Sequence, residues 1–158
     1  MAAYPDTTRA FRRSKGDYPR SIVPSTETLP QTLNPKDVVI RVHAVSLNHR
    51  DIAMLKEGKY PSTYIPDGIP TSDFAGEIVA VGNKVQKFGV GDRVVPTIDF
   101  NSLTGEERNP QIAVPGGDIE GFLSEYVVLN ENVLSKFPKH LSWEEVCSKS
   151  GGAKGACC

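Results

Sequence analysis

Hydrophobic and polar positions alternate most clearly between Val38 and Leu47. Val38, Ile40, Val42 and Ala44 fall on one face and Val39, Arg41, His43 and Val45 on the other, the period-two pattern of a strand. Half of the second face is polar, so it is predicted to meet solvent or a boundary. Shorter runs predict strands over Thr7–Arg12, Arg20–Pro24, Phe74–Val81, Val90–Val95, Phe122–Leu129 and Val133–Phe137. Asn48 to Glu57 reads as a short helix. Asn48 serves as N-cap, Asp51 sits in the first turn, Ile52 and Leu55 mark one buried face, and Gly58 follows as the stop. Ser142-Trp143-Glu144-Glu145 fits a capping box that opens a second helix. The pattern fails soon afterwards, at Gly151-Gly152-Ala153-Lys154-Gly155, so that helix is not predicted to continue. Proline-rich residues 24–37 and 60–72 and the polar residues 97–120 are predicted loops.

The 158 residues contain 14 Gly and 12 Pro, which favours many turns and a strand-rich fold over a helix bundle. Eighteen basic against 19 acidic residues leave a net charge of −1, excluding a strongly cationic nucleic-acid surface. No apolar run is long enough to span a bilayer, and residues 1–20 lack the apolar stretch of a secretory signal, so the expected location is cytoplasmic. Cysteine is absent before Cys147 and then appears three times, with Cys157 and Cys158 at the end, which is no disulfide framework. His43, His49 and His140 do not lie at ligand spacing, and neither they nor the cysteines form a zinc pattern.

Three segments carry a resemblance. VVIRVHAVSLNHRDIAMLKEGKYP runs a strand into N-x-x-D and a helix closed by Gly58. SDFAGEIVAVGNKVQKFGVGDRVV contains A-G-E-[IV]-V-x-V-G followed by F-x-V-G-D-R-V. GGDIEGFLSEYVVLNENVLSKFPKHLSWEE contains G-x-x-[AS]-E-Y and then P-x-x-L-S-x-E-E. Together they resemble the N-terminal catalytic domain of the medium-chain dehydrogenase/reductases. The resemblance implies a mainly β fold with short helices, a GroES-like barrel over residues 8–145. Residues 1–7 are then an N-terminal extension and residues 146–158 a divergent, disordered tail. The Rossmann cofactor domain of that family finds no counterpart here, because no strand precedes the Gly-rich run at 151–155. The abrupt departure after Glu145 reads as a transcript event, with Val146-Cys147 encodable as a splice-donor sequence.

Within that family the zinc-dependent branch has Cys where this chain has Asn48, and His-Glu where it has Ser72-Asp73. Zinc prefers thiolate and imidazole, and a catalytic site takes three protein ligands. The four Cys of the family's structural zinc are also missing from residues 97–120. The resemblance therefore points to the zinc-free quinone oxidoreductase and enone reductase branch, with NADPH as cofactor and a small-molecule substrate. It implies that Asn48 faces nicotinamide and substrate. Asp51 either contacts the cofactor or only holds the helix start, and Tyr60 either lines the cleft as a phenol donor or packs as a loop aromatic. Tyr64 and Phe100 are lesser cleft candidates. Two alternatives stay open: a non-catalytic barrel kept as a binding module, and a zinc-type alcohol dehydrogenase with displaced ligands. The 158 residues alone are expected to be inactive with NADPH. Self-association is expected through exposed apolar residues and the terminal thiols.

Overall fold

A computed structural model of the chain describes residues 4–58, 64–97, 100–101, 113–150 and 156–157. Its architecture is mainly β with two short α-helices, as expected. A two-stranded antiparallel hairpin joins β1 (Thr7–Arg13) to β2 (Ile22–Thr28). The second sheet has the order β6 (Tyr126–Asn130), β3 (Asp37–Leu47), β4 (Asp73–Val81), β5 (Arg93–Pro96), β7 (Leu134–Lys136), every pair antiparallel. A short β8 (Ala156–Cys157) also pairs with β3, through Ser46 and Leu47. Helix α1 (His49–Glu57) leaves the end of β3, and α2 (Trp143–Ser150) follows β7. No helix among the described residues is long and apolar enough to cross a membrane.

Several strand boundaries move. The second strand lies at Ile22–Thr28 rather than Arg20–Pro24, because its register against β1 runs from Ile22 opposite Arg13 to Thr28 opposite Thr7. Its residues from Ser25 on are polar, and Pro24 is tolerated because a hairpin edge asks for no further ladder donor. The strand expected over Phe122–Leu129 begins only at Tyr126, since Phe122 turns into the core and Ser124 bridges to Ala10. The strand expected from Val90 starts at Arg93, because Gly91 takes φ +88° and Val90 stands 68% exposed in the turn. A 3₁₀ turn over Glu131–Val133 shortens the last predicted strand.

Strand β3 also departs from simple alternation. The register shift between Val39 and Ile40 leaves Val79 of β4 as the extra residue, and the shift between Val42 and Ala44 leaves His43 of β3 as the extra residue. Val38, Ile40 and Val45 therefore share one core with Phe74, Ile78, Val94, Phe122, Val133 and Leu134. Ala44 turns to the other side, against Ala75 and Cys147. Both faces are thus apolar at the C-terminal end of β3. Gly76 and Gly82 are positions of close approach: a Cβ would lie 2.6 Å from Ile40 Cγ2 at the first and 2.4 Å from the Asn34 carbonyl oxygen at the second.

The second helix passes Glu145, where the resemblance stops, and ends just before the Gly-rich run. Ser142 N–H donates to Glu145 Oε2 at 2.8 Å and Glu145 N–H to Ser142 Oγ at 3.1 Å, completing the capping box, and the helix runs to Ser150. Val146 and Cys147 are buried, which explains the persistence: α2 is held by packing on β3 and β4 rather than by propensity. In this part the tail is ordered, unlike the expectation for residues 146–158. Residues 151–155 and 158 lie outside the described residues.

Arg12 fastens the hairpin to the body. Its Nε and Nη2 donate to the two Glu27 carboxylate oxygens at 2.6 and 3.0 Å, and Nη1 donates to Glu120 at 2.9 Å and the Asp67 carbonyl at 3.2 Å. The guanidinium, helped by the Ser25 hydroxyl, holds the Glu27 carboxyl down to about 2 from its ordinary 4.5. Unfolded, Glu27 takes its proton near 4.5, so the pair's contribution is complete above that pH and is lost as pH falls toward 2. With about a quarter of each side chain exposed, the pair is worth about 1 kcal/mol. Glu27→Gln should reduce stability at pH 6 by that amount and flatten its decline between pH 4.5 and 2. Urea denaturation at a series of pH values checks this; an unchanged acid slope contradicts it.

Candidate functional site

The site forms where β3 hands over to α1. Asn48 leaves the strand in extended conformation, φ −110° and ψ 159°, and caps the helix. Asp51, three residues on, returns one carboxylate oxygen to the Asn48 backbone N–H at 2.9 Å, while the Asn48 carbonyl accepts from Asp51 N–H at 3.0 Å. The second Asp51 oxygen accepts from the Thr71 backbone N–H at 3.0 Å. A single buried carboxylate thereby ties the start of α1 to the segment entering β4.

That segment carries Ser72 and Asp73. The β3–β4 register sets Ser46 opposite Asp73, so Asn48 arrives beside both, although 24 residues separate it from Ser72. Asn48 Nδ2 donates to Asp73 Oδ2 at 2.7 Å and lies 3.4 Å from Ser72 Oγ. The Ser72 hydroxyl donates to the same Asp73 oxygen at 2.6 Å. Ser72 and Asp73 are buried. An amide, a hydroxyl and a carboxylate thus converge in one hydrogen-bonded set, with the amide orientation fixed because a carboxylate only accepts.

Thr71, between these bonds, adopts φ +73°, is fully buried, and its Oγ1 has no hydrogen-bond partner. A β-branched residue in the left-handed region is strained by about 1–2 kcal/mol. The Asp51 bond to its N–H and the Phe122 N–H bond to its carbonyl oxygen, at 3.3 Å, hold it there. Thr71→Gly relieves this strain but gives up a fully buried side chain and frees the unfolded chain, so the opposing terms nearly cancel and stability should stay within about 1 kcal/mol of wild type. Urea denaturation checks this; a loss of more than about 2 kcal/mol would show that Thr71 is not strained.

Beneath the site Arg13 is 2% exposed. Its guanidinium donates to the Gly116 and Gly68 carbonyl oxygens and lies 5.5 Å from the Tyr64 ring centre, and burial pushes its pKa down. Tyr64 shares a hydrogen bond with the Tyr18 hydroxyl, and burial followed by that bond raises its phenol pKa. The Tyr18 ring lies over Gly58, which caps α1 at φ +62°.

The predicted residues separate accordingly. Asn48 stands at the centre of the site. Asp51 has one oxygen on each of two backbone amides, the geometry of the helix-start reading. Tyr60 lies outside the described residues. Phe100 packs against the core beside Phe122, ring centres 6.4 Å apart. Ser72 and Asp73, first noted for what they lack as zinc ligands, are partners of Asn48. Nothing in the sequence flags Arg13 or Tyr18, since a strand arginine or a turn tyrosine ordinarily faces water.

The donor set does not fit zinc. Of Asn48, Ser72 and Asp73 only Asp73 offers an ionised ligand, and it already receives two hydrogen bonds. Among the described residues no three His, Cys, Asp or Glu side chains cluster as a metal site.

A profile of the alcohol dehydrogenase GroES-like domain matches residues 34–139. The zinc-type alcohol dehydrogenase-like protein of Schizosaccharomyces pombe is 37% identical over 79% of this chain and 36% of its own length. The enoyl reductase component of the lovastatin nonaketide synthase of Aspergillus terreus is 31% identical over 80% of this chain and 31% of its own. The crystal structure of 2R,3R-butanediol dehydrogenase from Bacillus subtilis superposes with a TM-score of 0.74 at 26% identity, over 89% of this chain and 43% of that one. The chain thus spans about a third of the length of the curated relatives it matches.

Proposed function

We propose that this chain, which belongs to the alcohol dehydrogenase GroES-like family of dehydrogenases and reductases, is the substrate-side domain of a zinc-independent, NADPH-dependent reductase of enones or quinones. The observation that carries the reading is the Asn48–Ser72–Asp73 set. Side chains that satisfy one another by hydrogen bonds leave no ligand set for a Lewis acid, so substrate activation falls to positioned polar groups. The enoyl reductase among the relatives supports the reaction class.

NADPH, when bound, supplies the hydride. The chain spans about a third of the length of its curated relatives, so the contact with the pyrophosphate is proposed for a part of the protein outside these residues. Within the chain, Asp73 holds the Asn48 amide in one orientation and Asp51 fixes the backbone under it. Asn48 is thereby a pre-set neutral group at the mouth of β3, able to orient a carboxamide or a carbonyl without a proton transfer of its own. Tyr60 is proposed as the phenol that hydrogen-bonds the substrate oxygen.

The test uses the full-length product carrying these residues, assayed for NADPH oxidation against a panel of enones, quinones and alcohols with and without a chelator. Enone- or quinone-dependent turnover that ignores the chelator is the expected result, with Asn48→Ala lowering kcat/KM by about 10²-fold. Turnover of alcohols alone, abolished by chelation and restored by zinc, would overturn the proposal.

A further inference from the structure

Helix α2 is clamped by its first residue. The Trp143 indole stacks on the His43 imidazole, ring centres 4.2 Å apart and planes within 9°. The Arg93 guanidinium carbon lies 3.8 Å from the Trp143 ring centre. Two groups this close to one ring centre cannot share a face, so the indole is sandwiched between β3 and β5. Phe137 closes the edge at 83° and 5.6 Å, and Arg93 Nη1 is held by the Lys139 carbonyl oxygen at 2.9 Å. Arg93 Nε is buried with no hydrogen-bond partner, which leaves the ring faces as that end's main support for the cation.

We infer that His43 is a pH-sensitive latch: neutral, it stacks on Trp143 and holds α2 against the sheet; protonated, it releases the first turn of α2. The physical reason is that the indole already carries one cation. A second on the opposite face competes for the same π-electron density and loses part of its hydration, about a quarter of the His43 side chain staying exposed. The charges facing His43 come from every element around it. Arg41 on β3 and Arg93 on β5 oppose protonation; Glu77 on β4, 3.7 Å from Nε2, and Glu144 on α2 favour it. Burial and Arg41 prevail, so the docked imidazole is harder to protonate than a free one. The undocked state therefore binds the proton more tightly, and docking weakens as pH falls below the ordinary histidine value of about 6.5. Cys147, buried against Ala44 and Ala75, keeps the later turn of the helix in place.

The chain contains one tryptophan, so its fluorescence reports the latch directly. Emission of the 158-residue chain is followed from pH 8 to pH 5, beside amide exchange of residues 143–147. The latch requires a reversible transition with its midpoint below about 6.5, accompanied by faster exchange in α2 at the acid end. His43→Phe keeps the stacked ring without the proton and should lose the transition entirely. Glu77→Gln should move it to lower pH, and His140→Asn should leave it in place. If the variants do not fold, NMR titration of His43 in the wild-type chain still decides. A flat emission profile, a transition retained in His43→Phe, or quenching without faster exchange in α2 would each overturn the latch.

Discussion

Gly121→Ala is expected to cost about 3 kcal/mol or more, enough to leave the chain largely unfolded at moderate urea. A Cβ at Gly121 would lie 2.2 Å from the Pro70 carbonyl oxygen, 2.3 Å from that of Thr71 and 2.6 Å from that of Ile69. All three are backbone atoms, so no side chain can swing aside. They are also committed: Gly121 N–H donates to Ile69, and Phe122 N–H donates to Pro70 at 3.0 Å. Relief of the clash must separate residues 121–123 from residues 69–71. That separation also removes support from Thr71, and through it from Ser72 and Asp73. Gly89, with nothing within 4 Å of its built Cβ, is the control, and Gly89→Ala should stay within about 0.5 kcal/mol of wild type. Urea denaturation of both variants is the measurement. A Gly121→Ala midpoint equal to that of Gly89→Ala would show that residues 69–71 and 121–123 are not in contact.

Phe74→Ala carries the other large effect, about 3–5 kcal/mol. The ring is fully buried, meets Phe122 edge-on at 4.8 Å, and shares its core with Ile40, Ile78 and Val94. It follows Asp73 in sequence, so its packing also anchors the strand that presents the carboxylate to Asn48. Phe74→Leu retains most of the volume and should cost less than half as much. Thermal and urea unfolding of the two variants should rank them in that order; equal losses would mean that the ring does not fill the core.

What was legible in the sequence is what local chemistry dictates. Asn48 with Asp51, Gly58, and Ser142 with Glu145 announce helix ends because capping is settled within three or four residues. Strand β4 was legible because its apolar run is buried along most of its length. Strand β2 was displaced because Ser25, Thr26, Glu27 and Thr28 pair with β1 through backbone bonds that leave no hydrophobic signature. The bulge of β3 at His43 reverses which of Ala44 and Val45 meets the main core, and only the partner strand reveals it. The persistence of α2 depends on Cys147 finding Ala44 and Ala75, about 100 and 70 residues away in sequence.

The site was legible in part for the same reasons. Asn48 and Asp51 stand in one motif. The meeting of Asn48 with Ser72 and Asp73 is made by strand pairing, so the sequence could identify which zinc ligands were replaced but not that the replacements bond to one another. Thr71 gives no local hint of a positive φ. Its conformation is imposed by Asp51 on one side and Phe122 on the other.

The most direct test of the central claim is zinc stoichiometry on the purified 158-residue chain, together with its thermal unfolding in excess zinc and in excess chelator. An Asn48–Ser72–Asp73 set closed by its own hydrogen bonds predicts zinc far below one per chain and the same Tm under both conditions. One tightly held zinc per chain, with a Tm that falls on chelation and falls likewise in Asp73→Asn, would contradict it.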